Sequence, residues 1–255
     1  MIEIVKKIAR EAGEITLKIR EKGLLISRKT EDASNIVTQG DKASENLILE
    51  AIKKNFPNHS VLSEESGAND IKSENCWVID PIDGTIPYSV GLPTFGVSVG
   101  LLKKGRPYLG VISLPALGEL YWAEMGKGAF LNNKKISVSK KGKIKEALVG
   151  FELGWMENRK NVLRHLIEPV ALNAQYTPIF GCTVAGLCYV ARGALDGYIH
   201  TAYPWDFAAG AVIIEEAGGK ISDQQGRPID WSKNWMDVLV SNGRLHKQVL
   251  KLINP

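Results

Sequence analysis

A short apolar run that ends in two carboxylates constrains this chain more than any other feature. The run Trp77 to Ile79 predicts a buried strand. Pro81 has no backbone N–H and a fixed φ, so we expect the chain to leave the sheet there. Asp80 and Asp83 then share one turn, which ends at Gly84. Because like charges that close repel unless a cation lies between them, the stretch predicts a cation site.

The residues that follow this turn favour an anion. Gly84 and Thr85 have small side chains, and if a helix starts here, its first N–H groups and its dipole attract phosphate. A cation site beside a phosphate site indicates metal-assisted phosphate chemistry. Asp-Gly is also among the commonest turn dipeptides, so a turn without chemistry is the alternative for this loop alone.

Composition and charge narrow the class of protein. The 255 residues are 44% hydrophobic and 24% charged, which is ordinary for a soluble globular protein of one large domain or two lobes. A net charge of +4 on scattered lysines argues against a nucleic-acid partner. The longest uncharged run, Gln175 to Ala191, falls short of a membrane span. Three cysteines without paired spacing, and no secretory leader, predict a cytoplasmic protein.

The hydrophobic period changes along the chain. Residues 2–21 and 41–56 predict amphipathic helices, and residues 95–131 alternate with the period of an antiparallel meander. From residue 146 onward, short apolar strands alternate with helices. We therefore predict an α+β fold with a meander-bearing N-terminal lobe over 1–145 and a smaller α/β C-terminal lobe over 146–255.

Two further acids stand at predicted helix starts. Asp41 opens the second helix, and Asp206 opens a helix that runs to Ala217. A carboxylate in this position is usually an N-cap, and capping is the interpretation that each residue favours when taken alone. The tight packing indicated by Ala208-Ala209-Gly210 leaves open that Asp206 projects into a cleft between the lobes.

Four motifs in chain order resemble the inositol monophosphatase family, within the lithium-sensitive, magnesium-dependent phosphatase superfamily. They are Val37-Thr38-x-x-Asp41, Glu64-Glu65-Ser66, Asp80-Pro-Ile-Asp83-Gly-Thr85, and Trp205-Asp206 followed by Ala217-Gly218-Gly219. The resemblance spans essentially the whole chain. It implies the layered αβαβα sugar-phosphatase fold, a small phosphorylated substrate and a homodimer.

The resemblance also assigns roles to residues. It implies two or three Mg²⁺ per site, with Mn²⁺ possible, held by Glu65, Asp80, the Ile82 carbonyl, Asp83 and Asp206. Oxygen ligands without a His or Cys set agree with these metals. Thr85 paired with Asp41 is implied to activate the attacking water, with Glu65 as a third catalytic residue, and Glu64 is left out. The implied substrate-binding residues are Asp83, Gly84, Thr85, Gly181, Thr183, His200 and Asp206.

The departures from the family pattern concern the substrate. Ile86-Pro87 replaces the usual Thr or Lys and Asn, and His200 stands where relatives that act on inositol phosphate have Glu. His200 is either a surface residue or a neutral or cationic donor in the pocket. We expect a phosphatase for inositol-1-phosphate or a similar polyol phosphate. The alternatives are fructose-1,6-bisphosphate or histidinol phosphate as substrate, and a non-catalytic phosphate-binding regulatory protein. For a bisphosphate, Arg159, Lys160 and Arg164 are candidate cations.

Overall fold

The computed structural model describes residues 1–33, 35–68, 74–154 and 158–254. Its helices are α1 (Ile2–Glu21), α2 (Gln39–Asn55), α3 (Thr85–Ser89), α4 (Arg159–Val162), α5 (Glu168–Ala171), α6 (Thr183–Ala191), α7 (Pro204–Glu216) and α8 (His246–Ile253). Its strands are β1 (Ile26–Arg28), β2 (Ile36–Thr38), β3 (Ser60–Ser63), β4 (Gly67–Ala68), β5 (Asn75–Asp83), β6 (Gly96–Lys103), β7 (Arg106–Leu114), β8 (Glu119–Glu124), β9 (Ala129–Leu131), β10 (Lys134–Ile136), β11 (Val149–Phe151), β12 (Gly197–Ala202), β13 (Lys220–Asp223) and β14 (Met236–Ser241).

The strands form two larger sheets and one hairpin. The first sheet has eight strands in the order β10-β9-β8-β7-β6-β5-β3-β4, and its β3–β5 pair is parallel whereas its other pairs are antiparallel. The second sheet has the order β11-β12-β14-β13. β1 and β2 form the hairpin, in a polar stretch where no strand was predicted.

Alternation along the strands decides which helices each sheet buries. Trp77 and Ile79 of β5 point to one face of the first sheet, where α1 and α2 pack with residues such as Val5 and Ile48. Val78 points to the opposite face and packs in a cluster with residues of α6 and α7. The predicted amphipathic helices therefore cover one face of the sheet with their apolar sides.

α6 and α7 fill the space between the two sheets. Tyr198 and Val240 of the second sheet pack in the same cluster as these helices, whereas Ile199 and Leu239 pack on the far side with α5 and α8. The layers are therefore α1/α2, the first sheet, α6/α7, the second sheet, and α5/α8. This arrangement confirms the predicted α+β, αβαβα fold, while the division at residue 145 stays a prediction.

Glycine permits the close packing of α7 on the first sheet. A Cβ at Gly110 of β7 would lie 2.1 Å from the Ala209 carbonyl oxygen, and one at Gly100 of β6 would lie 2.9 Å from the Ala209 nitrogen. No side chain fits at these distances. The helix backbone is therefore seated directly on the strands, which fixes the position of its first turn.

Several local predictions were wrong. β5 continues through Pro81 to Asp83, with an irregular register, rather than leaving the sheet at Pro81. The predicted strand over 177–180 makes only isolated bridges, at Tyr176 and Ile179. The helix predicted to break near Pro169 stays helical from α4 to α5 through a π-helical stretch, Leu163–Ile167. In the described ranges, the structure has no helix of the length and hydropathy that a membrane span requires.

Candidate active site

A cavity of about 210 Å³ lies where β5, α3, α6 and α7 meet. It brings together residues that are far apart in the sequence. Its lining includes Glu64, Asp80, Ile82, Asp83, Gly84, Thr85, Ile86, Glu152, Gly154, Gly181, Thr183, His200 and Asp206.

The bottom of this cavity is acidic. Asp80, Asp83 and Asp206 each offer a carboxylate oxygen, and these oxygens all lie within 4.8 Å of one another. In a regular strand, residues three apart face opposite sides of the sheet. The register of β5 on β6 shifts between Asp80 and Asp83, and both residues line the same cavity. This local irregularity, beside Pro81, is what assembles the pair.

Asp206 reaches the cluster from the first turn of α7. Its Oδ2 accepts a hydrogen bond of 2.8 Å from the N–H of Tyr203, the N-cap residue of α7. Asp206 therefore both caps the helix and lines the cavity, which unites the two interpretations of the sequence.

The four acids at this site have raised pKa values. Burial raises the pKa of Asp80 and Asp206 well above the usual range, and neighbouring carboxylates raise it further. Burial, together with the charges of Glu152 and Glu64, raises the pKa of Asp83 to about 7, although hydrogen bonds from Val184 and Thr183 oppose the shift. Burial also raises the pKa of Glu64, against the opposing charge of Lys29.

One oxygen of this cluster lacks a partner. Asp80 Oδ1 is buried and makes no hydrogen bond within the described residues. A buried carboxylate oxygen without a partner is costly, and a cation would satisfy it. Because the converging donors are hard oxygens, the residues present fit a metal such as Mg²⁺.

The adjacent glutamates have different surroundings, and Glu64 rather than the predicted Glu65 lines the cavity. Both carboxylates contact Lys29. In the cavity, burial and the charge of Glu64 raise the pKa of Asp80, whereas Glu65 is not part of the lining. The Glu64 N–H donates to the Ile79 carbonyl, which extends the parallel β3–β5 pairing and sets Glu64 beside Asp80. Glu64, which was left out of the predicted site, is therefore the carboxylate that joins Asp80, Asp83 and Asp206. This pairing register is not visible in the sequence.

Lys29 belongs to the same arrangement and was also missed. Its ammonium group lies 2.8 Å from Glu64 and contacts Glu65 as well. Lys29, in the loop that follows β1, thus places a positive charge against the acidic cluster.

Thr85 and Asp41 meet, as predicted. The Thr85 hydroxyl lies 3.2 Å from Asp41 Oδ1 and 3.1 Å from the Ile82 carbonyl oxygen. Asp41 Oδ2 accepts from the N–H and the hydroxyl of Thr38, at 2.7 and 2.6 Å. Thr38 rather than Asp41 is the N-cap of α2, and Asp41 is its third residue. Burial raises the pKa of Asp41.

Gly84 separates this pair from the opposite wall. Its φ is +84°, and a Cβ there would lie 2.9 Å from the Thr94 carbonyl oxygen and 3.0 Å from the Cys182 Cβ. A side chain is therefore excluded by both conformation and space. Helix α3 begins at the next residue, Thr85, as the anion-site hypothesis required.

The opposite wall comes from the start of α6 and from β12. The Val184 N–H donates to Asp83 Oδ2, which ties α6 to the acidic cluster. Thr183 Oγ1 lies 2.9 Å from His200 Nδ1, and both residues line the cavity. Burial lowers the pKa of His200 to about 3, so its ring is neutral at physiological pH. His200 therefore lines the cavity, and the neutral ring is the form that its burial favours.

Glu152 supports this wall, and sequence analysis missed it. Its carboxylate accepts the backbone N–H groups of Phe180, Gly181 and Cys182, at 3.2, 2.9 and 3.4 Å, and the Tyr198 hydroxyl at 2.9 Å. One buried acid thus holds the loop that carries Gly181 toward the cavity. The available signal was a lone Glu at the end of an apolar strand.

The three candidate cations for a second phosphate lie in two different places. Arg159 Nε lies 3.3 Å from the carbonyl oxygen of Gly154, which lines the cavity. Lys160 and Arg164 line a separate groove on α4 and the π-helical stretch. The structure thus brings Arg159, but not the other two, to the edge of the candidate site.

The fold and the acidic cavity define the class of layered αβαβα proteins with a candidate metal site. A family model described as the inositol monophosphatase family matches residues 1–255, and the chain belongs to this family. The resemblance in the sequence is thereby confirmed.

Relatives with different names match the chain over nearly their full lengths. It is 32% identical to an inositol-1-monophosphatase of Bacillus subtilis (98% of this chain, 94% of that protein). It is 33% identical to a fructose-1,6-bisphosphatase/inositol-1-monophosphatase of Thermotoga maritima (97% and 93%). It is 34% identical to the Nus factor SuhB of Pasteurella multocida (100% and 96%). The solved inositol monophosphatase structure from Anabaena superposes with a TM-score of 0.86 at 31% identity, over 99% of this chain and 94% of that one.

Proposed function

We propose that this protein is a Mg²⁺-dependent phosphomonoesterase that hydrolyses inositol-1-phosphate or a similar small polyol phosphate. Membership of the inositol monophosphatase family supports phosphatase activity. The observation that carries the finer proposal is the partnerless Asp80 Oδ1 in a cluster of carboxylates beside the Thr85–Asp41 pair. The site therefore combines a position for a cation with the Thr85 hydroxyl, which is able to contact a water.

In this proposal, the metal is held by side chains of the cavity and by one backbone carbonyl. The ligands would be Glu64, Asp80, the Ile82 carbonyl, Asp83 and Asp206. Glu64 replaces Glu65 in this set, because Glu64 lines the cavity and Glu65 is not part of the lining. When bound, Mg²⁺ supplies Lewis acidity that favours ionisation of a water and neutralises phosphate charge.

The chain's own groups then orient the reactants. Asp41 accepts the Thr85 hydroxyl proton in a hydrogen bond, which leaves the Thr85 oxygen free to accept from the attacking water. The backbone N–H groups of Gly84 and Thr85 would hold the phosphate, because Gly84 has no side chain to cover them. Gly181, Thr183 and neutral His200 would contact the rest of the substrate.

A neutral His200 fits a polyol. With one ring nitrogen at hydrogen-bond distance from Thr183, the other nitrogen is able to form one hydrogen bond with a substrate hydroxyl. It carries no charge that would repel or attract an anionic group. This favours the polyol phosphates over the more anionic substrates that a cationic His200 would select.

A bisphosphate is the second candidate substrate, because Arg159 lies at the cavity edge and one relative is named as a fructose-1,6-bisphosphatase. The guanidinium would bind the distal phosphate. A non-catalytic role is the third hypothesis, because one relative is named as a Nus factor. The homodimer implied by the resemblance stays a prediction, which analytical ultracentrifugation would test. The cytoplasmic location predicted from the cysteines also stays a prediction, which cell fractionation would test.

Phosphate release over a panel of substrates separates these proposals. The panel contains inositol-1-phosphate, fructose-1,6-bisphosphate, histidinol phosphate and 3′-phosphoadenosine 5′-phosphate, each with Mg²⁺ and with Asp83→Asn as the blank. We expect the highest kcat/KM for inositol-1-phosphate. A preference for fructose-1,6-bisphosphate that Arg159→Ala abolishes would support the second candidate. Release from none of them, with Mg²⁺ bound, would support the non-catalytic role.

A further inference from the structure

A second and larger cavity lies at the other end of α7. Its volume is about 1090 Å³, compared with about 210 Å³ for the candidate active site, and the two cavities share no lining residue. The turn between β6 and β7, the last turns of α7, the strand β13 and the loop over 226–232 enclose it. The family motifs on which the phosphatase proposal depends lie outside this lining.

Basic side chains converge on this cavity. Arg106 comes from the start of β7 and Lys220 from the start of β13, and both line the space. Within the described ranges, neither side chain forms an ion pair or a side-chain hydrogen bond. A third cation, Lys104, has only a 3.8 Å contact with the exposed Glu74. Lys104, Arg106 and Lys220 are all exposed, and none of them has an ion pair shorter than 3.8 Å within the described residues.

Two acids, Glu215 and Asp230, also line the cavity, which is one fewer than the cations. Asp230 Oδ1 accepts hydrogen bonds from the N–H and the hydroxyl of Ser232, so that oxygen is engaged in its own loop. Glu215 lies in the last turn of α7 and forms no ion pair within the described residues. The lining thus carries three basic side chains, those of Lys104, Arg106 and Lys220, against the two acids, so an anionic group that enters the cavity meets a net positive charge.

The remaining wall is apolar. Trp231, Ile221 and Ile229 line the cavity and also pack against the central core cluster, which makes this wall part of the folded interior. Trp231 is only 9% exposed. A buried aromatic side chain beside free cations suits a ligand that has both an apolar body and an acidic group.

We propose that this second cavity binds a small organic anion, whose acidic group pairs with Arg106 and Lys220 and whose apolar body contacts Trp231. The ligand is distinct in chemistry from a polyol phosphate, which has no apolar body. The site is also distinct in place: Glu215 follows Asp206 by nine positions on the same helix, which corresponds to about 14 Å along its axis.

The test uses anilinonaphthalene sulfonate, a fluorescent aromatic anion, as the probe with the folded, Mg²⁺-loaded protein. Isothermal titration calorimetry and fluorescence measure its stoichiometry and affinity. We expect one site per chain, and about a tenfold or greater loss of affinity in the double variant Arg106→Glu/Lys220→Glu. Lys53→Glu, a charge reversal on an exposed residue of α2, is the control and is expected to bind as the wild type does.

Competition distinguishes the two cavities. Excess inorganic phosphate with Mg²⁺ is expected to leave the probe bound, because phosphate lacks the apolar body. Displacement of the probe by phosphate would place it in the acidic cavity and overturn the proposal. Unchanged affinity in the double variant, or no saturable binding by the wild type, would overturn it as well. Thermal unfolding and Mg²⁺-dependent phosphate release, both expected to be unchanged, confirm that the double variant is folded.

Discussion

Replacing Asp80 by Asn should stabilise the metal-free protein while it removes the response to Mg²⁺. Two unit charges 4.8 Å apart, the separation within which the three aspartate oxygens lie, repel by about 3.5 kcal/mol at an effective dielectric constant of about 20. Asp80 belongs to two such pairs. Because the raised pKa values leave part of the cluster protonated without metal, the expected gain is smaller, at about 1–3 kcal/mol.

Thermal unfolding measures this difference. For a chain of this size, about 1 kcal/mol corresponds to about 2–4 °C, so in EDTA the Asp80→Asn variant should melt roughly 3–10 °C above the wild type. Saturating Mg²⁺ should raise the melting temperature of the wild type by roughly 5–10 °C, as expected for a free concentration about a hundredfold above the dissociation constant. The variant should show little of this increase.

A matched control removes a charge that has no such neighbours. Glu14 is an exposed residue of α1, and Glu14→Gln should change the melting temperature by less than about 1–2 °C with or without Mg²⁺. The reasoning is refuted if Asp80→Asn melts below the wild type in EDTA. It is equally refuted if the variant keeps the full Mg²⁺-dependent increase.

Three further predictions concern the same region. The pKa of Asp83 is raised from 3.8 to about 7, so the native state binds more protons than the unfolded state between these pH values. The unfolding free energy of the metal-free protein should therefore fall as pH rises from about 4 to 7. Denaturant titrations in which it rises over this range would contradict the prediction. Glu64→Gln should lower Mg²⁺ affinity about tenfold or more by calorimetry, whereas Glu65→Gln should change it far less; the reverse order would restore the original assignment. Gly110→Ala should lower the unfolding free energy by about 1–3 kcal/mol, because its Cβ would collide with α7. The control Gly142→Ala, which has no atom within 4 Å of the added Cβ, should change it by less than about 0.5 kcal/mol. Equal denaturation midpoints for the two variants would contradict this prediction.

The sequence predicted the parts of the fold that depend on local periodicity. The amphipathic pattern over 2–21 and the two-residue alternation over 95–131 correspond to α1 and to the meander of the first sheet. β13 was missed because Lys220 to Asp223 has few apolar residues, and its pairing with β14 comes from the tertiary structure. The order of the five layers came from the resemblance rather than from periodicity.

The candidate site was predictable only where residue type determined the outcome. Asp80 and Asp83 come together as their shared turn predicts, whereas the expectation that Asp206 joins them came from the resemblance. The choice between Glu64 and Glu65 depended on the register of β3 against β5, which long-range pairing sets.

The support behind the site was invisible for a similar reason. Glu152 holds backbone N–H groups that lie 28–30 residues away in the sequence, and no local pattern indicates such contacts. The second cavity likewise depends on how the β6–β7 turn meets the loop over 226–232. Both features follow from packing between elements rather than from a motif.

The central claim is that the carboxylates around Asp80 form a magnesium-dependent phosphatase site, and the rate of phosphate release from inositol-1-phosphate as Mg²⁺ is titrated tests it most directly. We predict a saturable, Mg²⁺-dependent rate for the wild type that EDTA abolishes. In Asp206→Asn, which loses one carboxylate of the cluster, we predict a loss on the order of a hundredfold or more at the same Mg²⁺ concentration. A rate independent of Mg²⁺, or near-normal turnover in Asp206→Asn, would contradict the account.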